Sequence, residues 1–549
     1  MGKSTVIKNG LVVDGTGSPG VVADVRMQDG RITAIGAELS GDEVIDATGR
    51  VVAPGFIDIH THYDAQVFWD PALTPSCFHG VSTVVAGNCG FTIAPTRAAD
   101  RDLIARTMEK VEDMDPATLN AGIPWEFETF GEYLDSIRHR GSLLNFASYI
   151  GHTALRIFVM GDEAVGRVAT DDEIDRMATI VREAMDAGAA GFASSFAVTH
   201  RGADGQPIPS RWADRREIDA LCAAVGDTGR GVIGVNGGEN LSLPDCYELQ
   251  PNIGVPITYT ALLTTSQGTH LKAAEIHRAG VARGIDVWPQ VSCRPLSFSQ
   301  TMVEPFTLNI NPVFAELMPK SIDERRAAYL DPAWRARALE FWASGQVLSP
   351  RWDAFEIMEA PTSPDLVGRR VTQVAEELGL SPFDALLEIT LREPDLKVRV
   401  KALLANDDVD GITMLLNTDQ CTLGLSDAGA HVGQLCDAVL PTDLLGSWVR
   451  ERRALTLEQA INKLTKVQAD LFGFADRGRV AEGAKADINV FDLDGLFLPL
   501  PTFEHDFPGG AGRFVQRSEG YGWTLVNGQV FMENGEHTGA LTGKPLLSS

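Results

Sequence analysis

His60 and His62 lie one residue apart in the run Gly55-Phe56-Ile57-Asp58-Ile59-His60-Thr61-His62. The run follows an apolar stretch, Val51-Val52-Ala53-Pro54, and reads as a strand. Side chains alternate faces along a strand, so the two imidazoles point the same way. Neutral imidazole is the commonest protein metal ligand, and two of them converging at a strand end form part of a metal site. An ion held there would acidify a water and polarise a carbonyl, which is the chemistry of hydrolysis. The plain alternative is two hydrogen-bonded polar residues in a strand, and spacing alone does not separate the two readings. His152, His200 and His431 are further candidates for ligand, oxyanion donor or proton carrier, and each could equally be a structural residue. Arg294 could hold a substrate anion or lie at the surface.

The bulk properties narrow the function. The chain has 549 residues and a formal net charge of −27. That length suits one large domain plus a smaller one. Nucleic-acid binding needs a basic footprint, and no Lys/Arg block occurs, so the acidity reads as a solvated surface. Seven scattered cysteines without a C-x-x-C pair fit a reducing compartment. The N-terminus lacks the apolar core of a signal peptide, and Val6 breaks the myristoylation pattern that Gly2 invites. No apolar run reaches the roughly 18 residues of a transmembrane helix. The expectation is a cytoplasmic protein with no membrane and no nucleic-acid partner.

Residues 1–54 read as short strands and turns, with hairpin signals at Asn9-Gly10 and Asp29-Gly30. Ala486–Phe491 and the Asn527-Gly528 hairpin at the far end match that style, so both ends should form one small β-sandwich domain, 1–54 and 476–549. Between 55 and 475, strand-like runs alternate with helical stretches. Ser82–Ala86, Leu143–Ile150, Ala190–Ala193, Gly231–Val235, Val255–Tyr259 and Ile285–Trp288 read as strands. Asp171–Ala187 carries apolar residues at helical spacing and stops at Gly188. This rhythm argues for an α/β fold, a (β/α)₈ TIM-like barrel. Residues about 294–370 interrupt it with many aromatics, an insertion that would serve as a lid or pack its own core. No internal repeat or low-complexity tract occurs.

Pro54-Gly55-Phe56-Ile57-Asp58-x-His60-x-His62 resembles the amidohydrolase superfamily. Gly80-Val81-x-Thr83-Val84-Val85-x-Gly87-Asn88-Cys89-Gly90 resembles its N-acyl-D-amino-acid deacylase (D-aminoacylase) branch, in which that cysteine is a zinc ligand. Other branches use a carbamylated lysine, and none sits near Ala190–Phe196. Gly151-His152-x-x-Leu155-Arg156, Gly191–Ser195, Leu425-Ser426-Asp427 and the return Gly478–Phe491 are similar to that branch as well. The resemblance implies His60, His62, Cys89 and Asp427 as metal ligands, with Asp427 also carrying the proton. It departs in the middle. The family places histidines at the ends of strands five and six, where Asn236 and Ala261 stand here. The lysine that often follows is absent, and Gln290 stands where relatives often have Tyr.

Two imidazoles, a thiolate and a carboxylate suit zinc. The resemblance thus implies a zinc-dependent hydrolase of an amide C–N bond, acting through zinc-activated water on a small-molecule amide. One ion per chain is expected, since a second would lack imidazoles. His152, His200, Asn236, Gln290 and Arg294 are the candidate substrate contacts. Cyclic amide hydrolysis of the hydantoinase kind stays open, as does a metal-poor barrel with a binding or non-hydrolytic role. Self-association is left open.

Overall fold

The structure is a computed structural model and describes residues 2–202, 205–345 and 349–547. The N-terminal strands are β1 (Ser4–Val12), β2 (Val21–Gln28), β3 (Arg31–Gly36), β4 (Glu43–Asp46) and β5 (Val51–Pro54). Eight short strands follow: β6 (Phe56–Asp58), β7 (Val81–Ala86), β8 (Asn145–Ser148), β9 (Ile150–Gly151), β10 (Gly191–Ser195), β11 (Val232–Asn236), β12 (Ile257–Thr260) and β13 (Val287–Val291). Then come β14 (Leu296–Thr301), β15 (Phe355–Glu359), β16 (Arg399–Ala405) and β17 (Thr422–Leu423). The C-terminal strands are β18 (Ile488–Phe491), β19 (Thr502–Glu504), β20 (Arg513–Val515), β21 (Tyr521–Val526), β22 (Gln529–Glu533) and β23 (Glu536–His537).

The site rests on two runs of parallel strands, β6-β7-β8 and β9-β10-β11-β12-β13-β17. Only Tyr149 separates β8 from β9. A parallel bridge between Thr61 and Ala428 links the segment after β6 to the one after β17. Parallel strands need a crossover, and a helix precedes almost every one. Asp171–Ala187 is the longest: Thr170 and Glu173 form a capping box, Gly188 ends it at φ 115°, and Ile174, Met177, Val181 and Met185 are buried. Ile57, Ile59, Val85, Ala147, Tyr149, Ala193 and Val232 form one buried cluster from successive strands.

The chain ends share a nine-stranded sheet in the order β23-β22-β21-β18-β5-β1-β2-β3, with β4 beside β1. Both chain ends thus share one continuous sheet, in which β5 pairs directly with β18. Asn527-Gly528 makes the expected hairpin turn, with φ 50° and 80° and Val526 opposite Gln529. Asn9-Gly10 does not. It is an irregularity inside β1, where the pairing with β2 shifts register and the Asn9 N–H donates to Asp24 Oδ1 at 3.0 Å.

The chain divides into two compact units, Met1–Arg294 with Asp408–Val432 and Cys436–Ser549, and Pro295–Asp407 with Gly433–Leu435. The chain-end sheet thus belongs to the same unit as the parallel strands rather than to a domain of its own. The insertion ends at Asp407, not near 370, because β16 is the central strand between β14 and β15. Its aromatics pack on one another: Phe314, Tyr329, Trp334, Trp342, Phe355 and Phe383 form a buried core, with Phe314 and Trp334 rings 4.9 Å apart. Among the described residues, no helix is long and apolar enough to cross a membrane.

In the first unit, Asp487 ties the chain-end sheet to the parallel strands. Buried Arg477 ion-pairs with it, and its carboxylate accepts the Asn527 N–H at 2.7 Å and the Asn145 Nδ2–H at 3.1 Å. Its carbonyl accepts the Gly55 N–H at 2.8 Å. Replacing one partner of a buried pair strands the other charge, so Asp487→Ala should cost about 3–5 kcal/mol in urea unfolding. A loss below about 1 kcal/mol would show that the pair does not hold the sheet in place.

Candidate metal centre

His60 and His62 follow β6, Cys89 follows β7 and Asp427 follows β17, so all four stand just beyond the C-terminal ends of parallel strands. One donor atom each from His60, His62 and Cys89 lies within 4.8 Å of the others. Asp427 Oδ1 is 3.0 Å from His60 Nε2 and 3.8 Å from His62 Nε2. Cys89 Sγ is 3.8 Å from His60 Nε2.

The backbone that presents these groups is pinned by short polar side chains. Asn88 Nδ2 donates to the carbonyls of Val85 at 2.9 Å and Ile59 at 3.0 Å, locking the turn after β7 to the histidine segment. Ser426 Oγ donates to the His60 carbonyl at 2.8 Å, and the His62 N–H donates to the Ala428 carbonyl at 2.7 Å. Asp58 Oδ1 accepts the His60 N–H at 3.2 Å. Cys89 and Asp427 both have left-handed backbone, at φ 56° and 44°. Such conformations cost on the order of 1–3 kcal/mol each and persist where surrounding structure dictates them.

Each imidazole meets a partner on its other nitrogen. Gln290 Oε1 lies 2.6 Å from His60 Nδ1, which leaves Nε2 to face Asp427 and Cys89. Gln290 thus acts on a histidine rather than standing free for substrate. Gly424 makes room for it, since a Cβ there would sit 2.3 Å from Gln290 Oε1. For His62, Glu112 Oε1 is 3.2 Å from Nδ1. Glu112 is buried at the last position of the helix Arg101–Glu112. No motif marked it, because its place depends on how that helix approaches the strands. At the end of β11, Asn236 Nδ2 donates to Cys89 Sγ at 3.4 Å.

The electrostatics couple these groups. Burial works to lower the His60 pKa, but the Asp427 carboxylate and the Cys89 sulfur outweigh it and push it up to about 10. For His62, burial is likewise outweighed by Glu112 and by hydrogen bonds to Asp427 and Cys89, so its pKa lies well above the ordinary value. Burial works to raise Asp427, yet the two imidazoles hold its carboxyl well below the usual range. The Cys89 thiol is lowered by the same histidines against the effect of burial. A divalent cation would balance these anions, and two imidazole nitrogens, a thiolate and a carboxylate oxygen fit zinc.

Two of the remaining candidates, His152 and Arg294, are engaged elsewhere. His152 is fully buried with both ring nitrogens engaged, Nδ1 2.7 Å from Ser194 Oγ and Nε2 2.7 Å from Glu217 Oε1. Arg156 pairs with the same Glu217, so His152 belongs to a structural network and is not available to substrate. Arg294 is committed to Asp437 at 3.1 Å and Asp443 at 3.7 Å, which removes it as a free anion holder. His200 Nδ1 is 2.8 Å from Ser195 Oγ, its ring lies 5.4 Å from Phe91, and burial lowers its pKa to about 4. His431 lies in the segment after β17, four residues beyond Asp427, with left-handed backbone at φ 50°. Ala261 offers no donor.

Comparison with known proteins gives a consistent picture. The profile of the Amidohydrolase family matches residues 43–284 and 371–530. D-aminoacylase of Alcaligenes xylosoxydans xylosoxydans is 27% identical, over 98% of this chain and 97% of that protein. A crystal structure of D-aminoacylase superposes with a TM-score of 0.68 at 25% identity, covering 99% of both chains. The Bordetella bronchiseptica N-acyl-D-glutamate deacylase, solved with zinc and a phosphonate inhibitor, superposes at 0.70 with 23% identity over 100% of both chains.

Because imidazole nitrogens and a thiol must be free of protons to bind a cation, metal affinity should rise with pH. Each displaced proton contributes about tenfold per pH unit. Zinc titration at neutral pH in two buffers of different ionisation enthalpy should show net proton release. Affinity that is flat between pH 6 and 8 would mean the ion binds elsewhere.

Proposed function

The chain belongs to the amidohydrolase family, and from that premise we propose that it is a metal-dependent hydrolase of the amide C–N bond in an N-acylated small molecule, an N-acyl-amino-acid deacylase-like enzyme. The observation that carries this is the meeting of His60, His62, Cys89 and Asp427 beyond the ends of three parallel strands. The two strand runs and the Thr61–Ala428 bridge support a closed (β/α)₈ barrel, a fold whose active sites sit at the C-terminal ends of its strands.

His60, His62, Cys89 and Asp427 would hold the ion, for which zinc is the proposed identity. The ion supplies Lewis acidity, lowering the pKa of a water and polarising the scissile carbonyl. Asp427 moves the proton: ionised, it accepts one from the attacking water and returns it to the departing nitrogen. Gln290 keeps Nε2 of His60 directed inward. Asn236 supports a single tightly held ion, since its amide N–H meets the sulfur that a second ion would need. Ala261 supports the same count. Without the imidazoles of strands five and six, and without the lysine that often follows, the substrate should differ from simple N-acyl-D-amino acids. The hydantoinase alternative is weaker, because β10 ends in Ser194-Ser195 with no lysine for a carbamate. Seven free thiols support a reducing, cytoplasmic setting.

Asp427→Asn keeps the shape but loses both a carboxylate ligand and the proton acceptor, and should lower kcat by about 10²–10⁴-fold. The assay is hydrolysis across N-acyl amino acids, cyclic imides and aryl amides, with zinc quantified after dialysis. One equivalent of zinc per chain is expected. Two equivalents would overturn the single-ion proposal, and an unchanged kcat in Asp427→Asn would remove Asp427 from the proton path.

A further inference from the structure

Glu112 is a fully buried acid with no motif to announce it. It is 1% exposed, and neither carboxylate oxygen has a hydrogen bond of full geometry among the described residues. Burying a carboxylate this way costs several kcal/mol unless something charged compensates. The nearest compensating atom is His62 Nδ1 at 3.2 Å, on the side of the ring opposite Asp427. His60 is treated differently: its outer nitrogen meets the neutral amide of Gln290. The two histidines therefore have unequal partners, one neutral and one anionic.

We infer that Glu112 is a positioning residue for the metal: its carboxylate accepts the Nδ1–H of His62, fixes that tautomer and makes Nε2 of His62 the stronger of the two imidazole donors. The inference rests on the metal-centre reading above. A carboxylate on the outer N–H raises imidazole basicity and fixes ring orientation, and loss of such a partner typically weakens metal affinity by about 10–100-fold. The helix Arg101–Glu112 then does more than cover the strands, because its last residue reaches a ligand. A competing role predicts the opposite sign. If Glu112 served only to pair with a protonated His62, it would favour the ion-free form, and removing it would tighten metal binding.

The test uses the full-length chain and its Glu112→Gln and Glu112→Leu variants, with zinc affinity measured by chelator competition. Cobalt(II) is substituted to read the visible ligand-field bands. Gln keeps an acceptor without the charge and should bind about tenfold more weakly; Leu removes both and should approach 100-fold. The cobalt bands should shift in both, which a purely structural role for Glu112 would not produce. Unchanged or tighter affinity with unchanged bands would overturn the inference. If Glu112→Leu fails to fold, Glu112→Gln decides alone. Absence of zinc binding in the unmodified chain would instead overturn the metal centre itself, and is read separately from the variants.

Discussion

Too many anions share one small buried space here, and much of the surrounding structure answers to that. Asp427, Glu112 and the Cys89 sulfur surround His60 and His62, with Asp58 and Asp64 buried close behind. Burial pushes Asp58 up to about 6 and Asp64 to about 7, so these two sit near the balance between charged and neutral forms. Burial withholds bulk solvent from the set, so each charge must find an opposite. Imidazolium protons can do this, but a cation also satisfies the directional lone pairs of nitrogen, sulfur and oxygen together.

That requirement explains the local architecture. The turn after β7 must place a thiol beside a ring held by β6, so Asn88 spends its amide on the carbonyls of both segments. The turn after β17 must place a carboxylate beneath two rings, so Ser426 grips the His60 carbonyl and Asp427 accepts a left-handed backbone. These are short, rigid connections at strand ends. They can hold a geometry that a long loop would lose to conformational entropy.

Much of this was legible in the sequence, for identifiable reasons. His60 and His62 follow from period-two spacing, and Asp171–Ala187 from helical spacing with a clear stop. The motif around Cys89 and the Ser426-Asp427 pair pointed to residues that the fold brings close to His60. What was hidden depends on long-range approach. Glu112 lies some fifty residues from His62 and ends a helix, where an acid ordinarily reads as surface. His152 and Arg294 looked available because their neutralising partners, Glu217 and the Asp437–Asp443 pair, are distant in sequence. Asn9-Gly10 carries a turn signature, yet Asp24 captures the Asn9 N–H and the strand runs on. The insertion boundary was misplaced because β16 completes a sheet begun a hundred residues earlier.

The pairing of β5 with β18 also bears on how the chain is made. Strands β1–β5 form one half of a sheet whose other half is translated on the order of 400 residues later. At about 5–20 residues per second, the edge of β5 waits roughly 20–80 seconds for its neighbour. During that interval, Val51–Pro54 would present unpaired backbone and apolar side chains to the cell. Vectorial synthesis therefore makes this nascent edge a natural point of chaperone capture and of mispairing between neighbouring chains on one polysome.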